Sequence, residues 1–355
     1  MSTRLQKLRD SFDKIHLDAF LVTFSPHLRY LSGFTGSSGV GIVTPGEAYL
    51  ITDGRYAIQA KDQTRGWKIF VTPDSLFDEI QRLRLLRKGW RTGFDGNTFP
   101  FSSYQTLRKK FPIVKFLPKV EIIETIAAVK DESEIKKIKH AVAITDRVFE
   151  EVLGIIHPGM KELDVAAEIS FRQRQHGAES DAFEIIVASG ERSVLPHGRA
   201  TSKKIRKGEF VTLDFGCIYE GYHSDLTRTV SMGRPRNEAS RMYQVVLTAQ
   251  TRAIRAAASG MMAKDLDAIA RAYIKEKGYA KYFPHSLGHG LGLQIHEPPR
   301  ISMQSKARLQ AGNVITIEPG IYIPKLGGAR IEDDVLIKNG HCEVLSRSPK
   351  ELLII

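Results

Sequence analysis

Two stretches of this chain, "GMKELDVAAEISFRQRQHG" (residues 159–177) and "GMMAKDLDAIARAYIKEKG" (residues 260–278), follow one plan. Each runs from glycine to glycine over 19 residues, carries Lys-x-Leu-Asp near its start and continues as a helix. Each follows another helical stretch and precedes strand-like runs that hold acidic residues. Two amphipathic helices with Leu-Asp starts can match by chance. The sharper reading is a duplicated half-domain, which predicts an internal pseudo-twofold with a site at the seam.

The acidic residues strengthen that reading. In "FVTLDFGCIYEGYHSDLTRTV" (residues 210–230), two β-type runs flank "IYEG". A turn centred on Tyr219-Glu220, with Gly221 at positive φ, predicts Asp214 opposite Asp225. Directly opposed side chains share a face, with Cβ atoms about 5 Å apart. Two anions so placed need a proton, cationic neighbours or a metal. A second pair lies in "NVITIEPGIYI" and "GARIEDDVLI", which flank "PKLGG". Glu318 and Glu332 are symmetric about Lys325 and face each other if that loop is regular. Arg330 precedes Glu332 by two and shares its face.

Between the pairs, "PHSLGHGLGLQIHEPPR" (residues 284–300) holds His285, His289 and His296 among glycines. Gly290 and Gly292 would let backbone approach a ligand closely. Four carboxylates and an imidazole form a hard, oxygen-rich donor set. It suits Mn- or Mg-like ions, with Co and Zn admitted through the histidine. Two ions about 4 Å apart, bridged by carboxylates, activate a hydroxide and clamp a tetrahedral intermediate. Singly, Asp225 could pair with Arg228 and Glu332 with Arg330. Jointly, four such acids in two hairpin settings point to metal ligands. His16, His27, His140, His157, His176, His223 and His341 are read as surface or satisfied core.

The first third alternates element types: a strand in "DAFLVTF", a Pro-initiated helix in "SPHLRYLSGF", and a hairpin around "PGE". A helix in "FDEIQRLRLLRKG", a strand in "WRTGFDG", a helix in "SSYQTLRKKF" and a strand in "IVKFLP" complete an α/β domain over residues 1–122. The second domain, residues 123–355, begins with a capping box, Asp131 and Glu134. A long helix follows, with Ile135, Ile138, Val142, Phe149 and Val152 on one stripe.

The formal charge of +12 permits loose association with polyanions. The basic residues are dispersed except at residues 82–91 and 202–207, which read as solvated faces. No specific nucleic-acid partner is expected. Two cysteines without metal-type spacing fit a reducing compartment. The first residues lack the apolar core of a signal peptide, and no apolar run reaches the length of a membrane span. A soluble, cytoplasmic protein is the expectation.

The strings "LDFG", "YHSDLTRTV", "HSLGHGLGLQIHEPPR", "ITIEPGIYI" and "GARIEDDVLI" together resemble the pita-bread metallopeptidases, within them the Xaa-Pro branch of aminopeptidase P and prolidase. "PHGRAT", "VKDESEI", "YLSGFTGSSG" and "ITDGRY" extend the resemblance over nearly the whole chain. It implies a creatinase/prolidase-type α/β N-terminal domain and an α+β pita-bread catalytic domain with internal pseudo-twofold symmetry. By motif match, Asp214, Asp225, His289, Glu318 and Glu332 hold two divalent ions, Mn first, with Co or Zn as alternatives. Asp225 and Glu332 would bridge them; Asp214 would serve one ion, His289 and Glu318 the other. His197 of "PHG", His285, His296 and Arg300 would contact substrate, and Arg330 would hydrogen-bond a metal-binding carboxylate. A metal-bridging hydroxide would attack the carbonyl before proline, with His197, His296 and Glu318 as catalytic groups. The substrate implied is a peptide with proline second, and the enzyme a homodimer. Aminopeptidase P is taken first, Xaa-Pro dipeptidase second. An inert peptide- or nucleic-acid-binding relative is the non-enzymatic alternative.

Overall fold

The computed structural model describes residues 3–355, and the chain divides into two units, Met1–Ala127 and Ala128–Ile355. The division falls beyond the expected Ile122 because a short helix, Ile122–Ala127, packs on the helices of the first unit.

In the first unit, helices α1 (Thr3–Ile15), α2 (Ser25–Ser32), α3 (Ala57–Gln63), α4 (Leu76–Arg82), α5 (Phe101–Lys110) and α6 (Ile122–Ala127) surround one sheet. Its strands are β1 (Ala19–Val22), β2 (Val40–Val43), β3 (Ala48–Asp53), β4 (Lys68–Thr72), β5 (Arg91–Asp95) and β6 (Lys115–Lys119), in the order β4-β3-β2-β1-β5-β6. β2 and β3 form the hairpin expected around "PGE", with Val43 opposite Ala48. The expected helix over "FDEIQRLRLLRKG" is shorter. It stops at Arg82, and Arg84 takes a left-handed φ of 52°. That reversal buries Leu86, so the leucines do not line one helix face.

The second unit opens with α7 (Glu132–Leu153), started by the capping box of Asp131 and Glu134. Then come α8 (Glu162–Gln175), β7 (Ser180–Asp181), β8 (Ile186–Ser189), β9 (Phe210–Phe215), β10 (Cys217–Tyr219), β11 (Tyr222–His223) and β12 (Leu226–Ser231). The second run is α9 (Asn237–Ala256), α10 (Ala263–Glu276), β13 (Gly288–Gly290), β14 (Glu297–Ile301), β15 (Val314–Ile317), β16 (Gly320–Ile323), β17 (Gly327–Arg330), β18 (Asp333–Lys338) and β19 (His341–Val344). Sheets β12-β9-β8 and β14-β13-β15-β18-β19 carry the two cores.

The echo seen in the sequence is a structural repeat. Gly159, Gly177, Gly260 and Gly278 all take positive φ, 100°, 93°, 88° and 85°, conformations open to glycine without steric cost. Gly159 donates to the Ile205 carbonyl as Gly260 does to Leu309, both at 2.8 Å. Ile205 and Leu309 return bonds to Met160 and Met261. Counting nine residues on from Ile205 and Leu309 reaches Asp214 and Glu318, so these acids correspond in the two halves.

The first acidic hairpin differs from expectation in register. Its turn sits on Glu220 and Gly221, with φ 45° and 81°, as a two-residue turn with both centres left-handed. Asp214 therefore lies opposite Thr227, and Asp225 falls two residues further along. A shift by two keeps the face, so both acids still point the same way. Asp225 occupies the gap between β11 and β12, opposite the break at Gly216. A Cβ on Gly216 would lie 1.8 Å from the Ser224 carbonyl oxygen. Gly216→Ala is expected to cost about 3 kcal/mol, read as a lower thermal midpoint. An unchanged midpoint would show that the chains do not cross this closely.

The second hairpin keeps its register through two sheets. Ile317 pairs with Asp333 in one, Gly320 with Arg330 in the other. Glu318 and Glu332 sit in the interruption, where neither backbone belongs to a ladder.

Candidate metal centre

Four segments bring the acids together: the end of β9, the gap before β12, and the two sides of the β15–β18 interruption. Asp225, His289 and Glu332 each present one ligand atom, all within 4.8 Å of one another. Asp225 Oδ1 and Glu332 Oε1 are buried with no hydrogen-bond partner among the described residues. Buried carboxylate oxygens are otherwise satisfied in folded proteins, so this pair marks room for a cation.

Electrostatics agree. Burial, then Glu332, Asp214, Asp334 and Glu318, push the Asp225 carboxyl well above its ordinary range. Burial, then Glu318 and Asp214, do the same to Glu332. Burial pushes Glu318 up to about 8, opposed by Arg330 and helped by Asp214. Asp214 is also raised by burial, despite Arg330 beside it. Four acids that resist ionising in each other's company are stabilised by divalent cations, which reverse the local charge.

His289 fits the same centre. Its Nδ1 lies 3.1 Å from the Gly290 carbonyl, which can only accept, so Nδ1 carries the proton. Nε2 is left facing Glu318 Oε1 at 3.5 Å and Asp225 Oδ2 at 3.7 Å. Burial, aided by His296, lowers its pKa to about 4, so the imidazole is neutral near pH 7 and can ligate. The donor set of Asp214, Asp225, His289, Glu318 and Glu332 thus fits two hard divalent ions.

Arg330 does not pair with Glu332. Its Nη2 donates to Asp214 Oδ2, Nε to Thr227 Oγ1 at 3.0 Å, and Nη1 to Tyr322 Oη at 2.8 Å and to the Pro196 carbonyl at 3.0 Å. Thr227 Oγ1 in turn donates to Glu332 Oε2 at 2.6 Å. Arg228 is likewise spent elsewhere, on Asp333 at 2.7 Å, and leaves Asp225 alone. His285 Nε2 accepts from Tyr322 Oη at 3.0 Å, so it joins the arginine network and not the acid cluster. His296 packs edge-on to His289, with ring centroids 4.3 Å apart. His197 and His296 are both exposed to solvent. Burial, then His197 and Arg300, lower the His296 pKa, which puts all three in one field.

Three residues at the centre escape sequence reasoning. Thr227 and Tyr322 resemble ordinary strand residues, and Asp334 resembles a charge at a strand start. Asp334 Oδ2 accepts the Asp225 backbone N–H at 3.0 Å and fixes that acid's chain. A signal for Tyr322 existed: Gly320 two residues earlier, where a Cβ would meet Tyr322 Oη at 2.4 Å. Gly290 and Gly292 also differ from expectation. They admit neighbouring protein, since a Cβ on Gly290 would be 2.4 Å from the Pro298 carbonyl oxygen and one on Gly292 2.7 Å from Glu297 Oε2. Among the other histidines, His223 is buried with Nδ1 3.0 Å from the Gly292 carbonyl, and His27 lies between Asp95 and Glu124 at 3.6 and 3.7 Å.

A pita-bread core with a buried carboxylate–histidine cluster defines a metallopeptidase. Residues 136–339 match the model of metallopeptidase family M24, and residues 4–129 that of the creatinase/prolidase N-terminal domain. The chain belongs to metallopeptidase family M24 and carries the creatinase/prolidase N-terminal domain. It is 41% identical to the Xaa-Pro dipeptidase of Pyrococcus furiosus over 99% of this chain and 100% of that one. A solved Xaa-Pro dipeptidase from Bacillus anthracis superimposes with a TM-score of 0.96 at 42% identity, covering 99% of both chains. An X-Pro aminopeptidase from Thermotoga maritima gives 0.91 at 38% identity, covering 98% of this chain and 100% of that one. No helix among the described residues is long and apolar enough to cross a membrane.

Proposed function

We propose that the chain hydrolyses the bond between an N-terminal residue and a following proline, with two divalent ions held by Asp214, Asp225, His289, Glu318 and Glu332. One observation carries this reading: the unpartnered oxygens of Asp225 and Glu332 beside the Nε2 face of His289. Mn is the first choice of metal, because carboxylates dominate the donors, with Co or Zn admitted by His289. Bound ions supply Lewis acidity and a water nucleophile at neutral pH.

The chain's own groups do the rest. His197 and His296, both exposed to solvent, present N–H donors to the substrate's carbonyl oxygens. Glu318, which faces His289 Nε2 at 3.5 Å, is the group proposed to carry a proton to the leaving prolyl nitrogen. That nitrogen has no N–H in the substrate, so the pocket needs no acceptor opposite it. His285, neutral because burial lowers its pKa to about 4, holds Tyr322 and through it Arg330 in place. The relatives named for Xaa-Pro dipeptides and for X-Pro aminopeptidase activity both support the scissile bond. The reading includes a cytoplasmic homodimer, in line with the resemblance. The free thiols of Cys217 and Cys342 suit a reducing compartment.

Substrate length has two readings. Aminopeptidase action on longer peptides follows the first. Arg300 favours a second, since its charge reaches both His289 and His296 and it can hold a dipeptide's free carboxylate. Kinetics on Xaa-Pro and Xaa-Pro-Yaa-Zaa, with Mn-loaded and chelated protein, test both. Cleavage is expected only with metal, and Arg300→Ala is expected to raise KM for the dipeptide about tenfold while sparing the tetrapeptide. No cleavage of either substrate by the loaded protein would end the hydrolase reading. An unchanged dipeptide KM would remove Arg300 from the site.

A further inference from the structure

The loop of residues 190–200 carries His197, and both of its stems end on one buried carboxylate that the reaction above does not use. Glu162, the first residue of α8, has no exposed surface. Its Oε1 accepts the Ser189 backbone N–H at 2.8 Å and the Ser189 hydroxyl at 2.9 Å. Its Oε2 accepts the Thr201 backbone N–H at 3.1 Å, the Thr201 hydroxyl at 2.8 Å and Arg192 Nε at 3.0 Å. Five donors on two oxygens exceed the nominal lone-pair count of an ionised carboxylate, and such bonds are charge-assisted. None of the five comes from a residue of the metal centre.

The contacts define a clamp. Ser189 ends β8 and Thr201 starts the return toward β9, so Glu162 ties the loop's entry to its exit. Arg192 crosses the loop from Glu162 to the Arg199 carbonyl, where Nη2 donates at 2.5 Å. Arg330 holds the Pro196 carbonyl, one residue before His197. The His197 ring itself is exposed, yet its charge is felt by Asp214, His285 and His296. An exposed ring gains no fixed place from packing. Its position is set by the backbone that carries it; Glu162 ties that backbone at both stems, Arg330 at Pro196, and Ser193 Oγ accepts the Gly328 backbone N–H at 2.8 Å.

We infer that Glu162, with Arg192, is a positioning residue for His197: it fixes where the imidazole meets substrate without touching substrate or metal. The inference rests on His197 contacting substrate, as proposed above. Glu162→Gln keeps the shape but turns one acceptor into a donor that faces the donors of one loop stem.

The test is steady-state kinetics of the Mn-loaded enzyme on an Xaa-Pro dipeptide, with His197→Ala, Glu162→Gln and the double variant. Glu162→Gln is expected to raise KM about tenfold with bound Mn unchanged, and to add less than about twofold in the His197→Ala background. Arg192→Met covers the case in which Glu162→Gln does not fold, because Arg192 is partly exposed and its loss leaves no buried charge without donors. It is expected to show a smaller KM effect that also vanishes without His197. Losses that multiply in the double variant, or a fall in bound Mn, would overturn this inference alone and leave Glu162 as a structural residue. A His197→Ala enzyme with normal kinetics would overturn both the inference and the reading beneath it.

Discussion

Asp225→Asn is expected to lower kcat/KM on an Xaa-Pro substrate by about a thousandfold or more, while the chelated variant melts no lower than the chelated parent. The two halves of this expectation have one cause. In the metal-free protein, Asp225 lies buried among Glu332, Asp214, Asp334 and Glu318, which all disfavour its charge. An amide in its place removes that repulsion, and the backbone N–H of residue 225 still donates to Asp334. With metal present the sign reverses, because the charge that Glu332, Asp214 and Glu318 disfavour is one that Asp225 would offer to a bound cation. Bound Mn, counted per chain, should fall with activity. Near-normal turnover with full Mn content would remove Asp225 from the ligand set. A chelated variant that melts well below its parent would mean that the Asp225 carboxylate supports the fold in its own right.

The chelated protein should also lose stability as pH rises, opposite to the usual behaviour of carboxylates held by ion pairs. The sign follows from proton counting. Unfolded Glu titrates near 4.3 and Asp near 3.9. In the folded protein Glu318 titrates near 8, and Asp225, Glu332 and Asp214 are raised as well. Between these limits the folded state binds more protons than the unfolded one, so stability declines with pH. Glu318 alone gives a slope of up to about 1.4 kcal/mol per pH unit across that window. The stabilising contribution is complete below the unfolded values and lost as pH passes about 8. Mn loading should therefore raise the thermal midpoint far more at pH 8 than at pH 5. A chelated midpoint that stays flat or climbs over that range would contradict the charge assignment.

Much of this centre is legible in the chain because the acids are out of place: Asp214, Asp225, Glu318 and Glu332 all fall in or beside β-type runs where a core face is expected. The register of the first hairpin is less so. "YEGY" allows Gly221 to follow the turn or to sit within it, and the structure uses the second option by placing Glu220 at φ 45°. Face was preserved only because the two options differ by an even step. The helix of "FDEIQRLRLLRKG" failed differently, since leucine spacing cannot reveal that Arg84 turns left-handed. Glu162 was hidden by resemblance to any acid in a helix's first turn. Its five donors come from Ser189, Arg192 and Thr201, 27 to 39 residues away, a distance over which periodicity says nothing.

The ribbon that leaves one sheet at Ile317 and enters another at Gly320 has a consequence for how this enzyme can change over evolutionary time. Because Glu318 and Glu332 stand at that corner, the gap between them depends on how the two sheets are set at the bend, not on any single loop. Substitutions in either sheet, remote from the acids, can thus tune which ion radius fits.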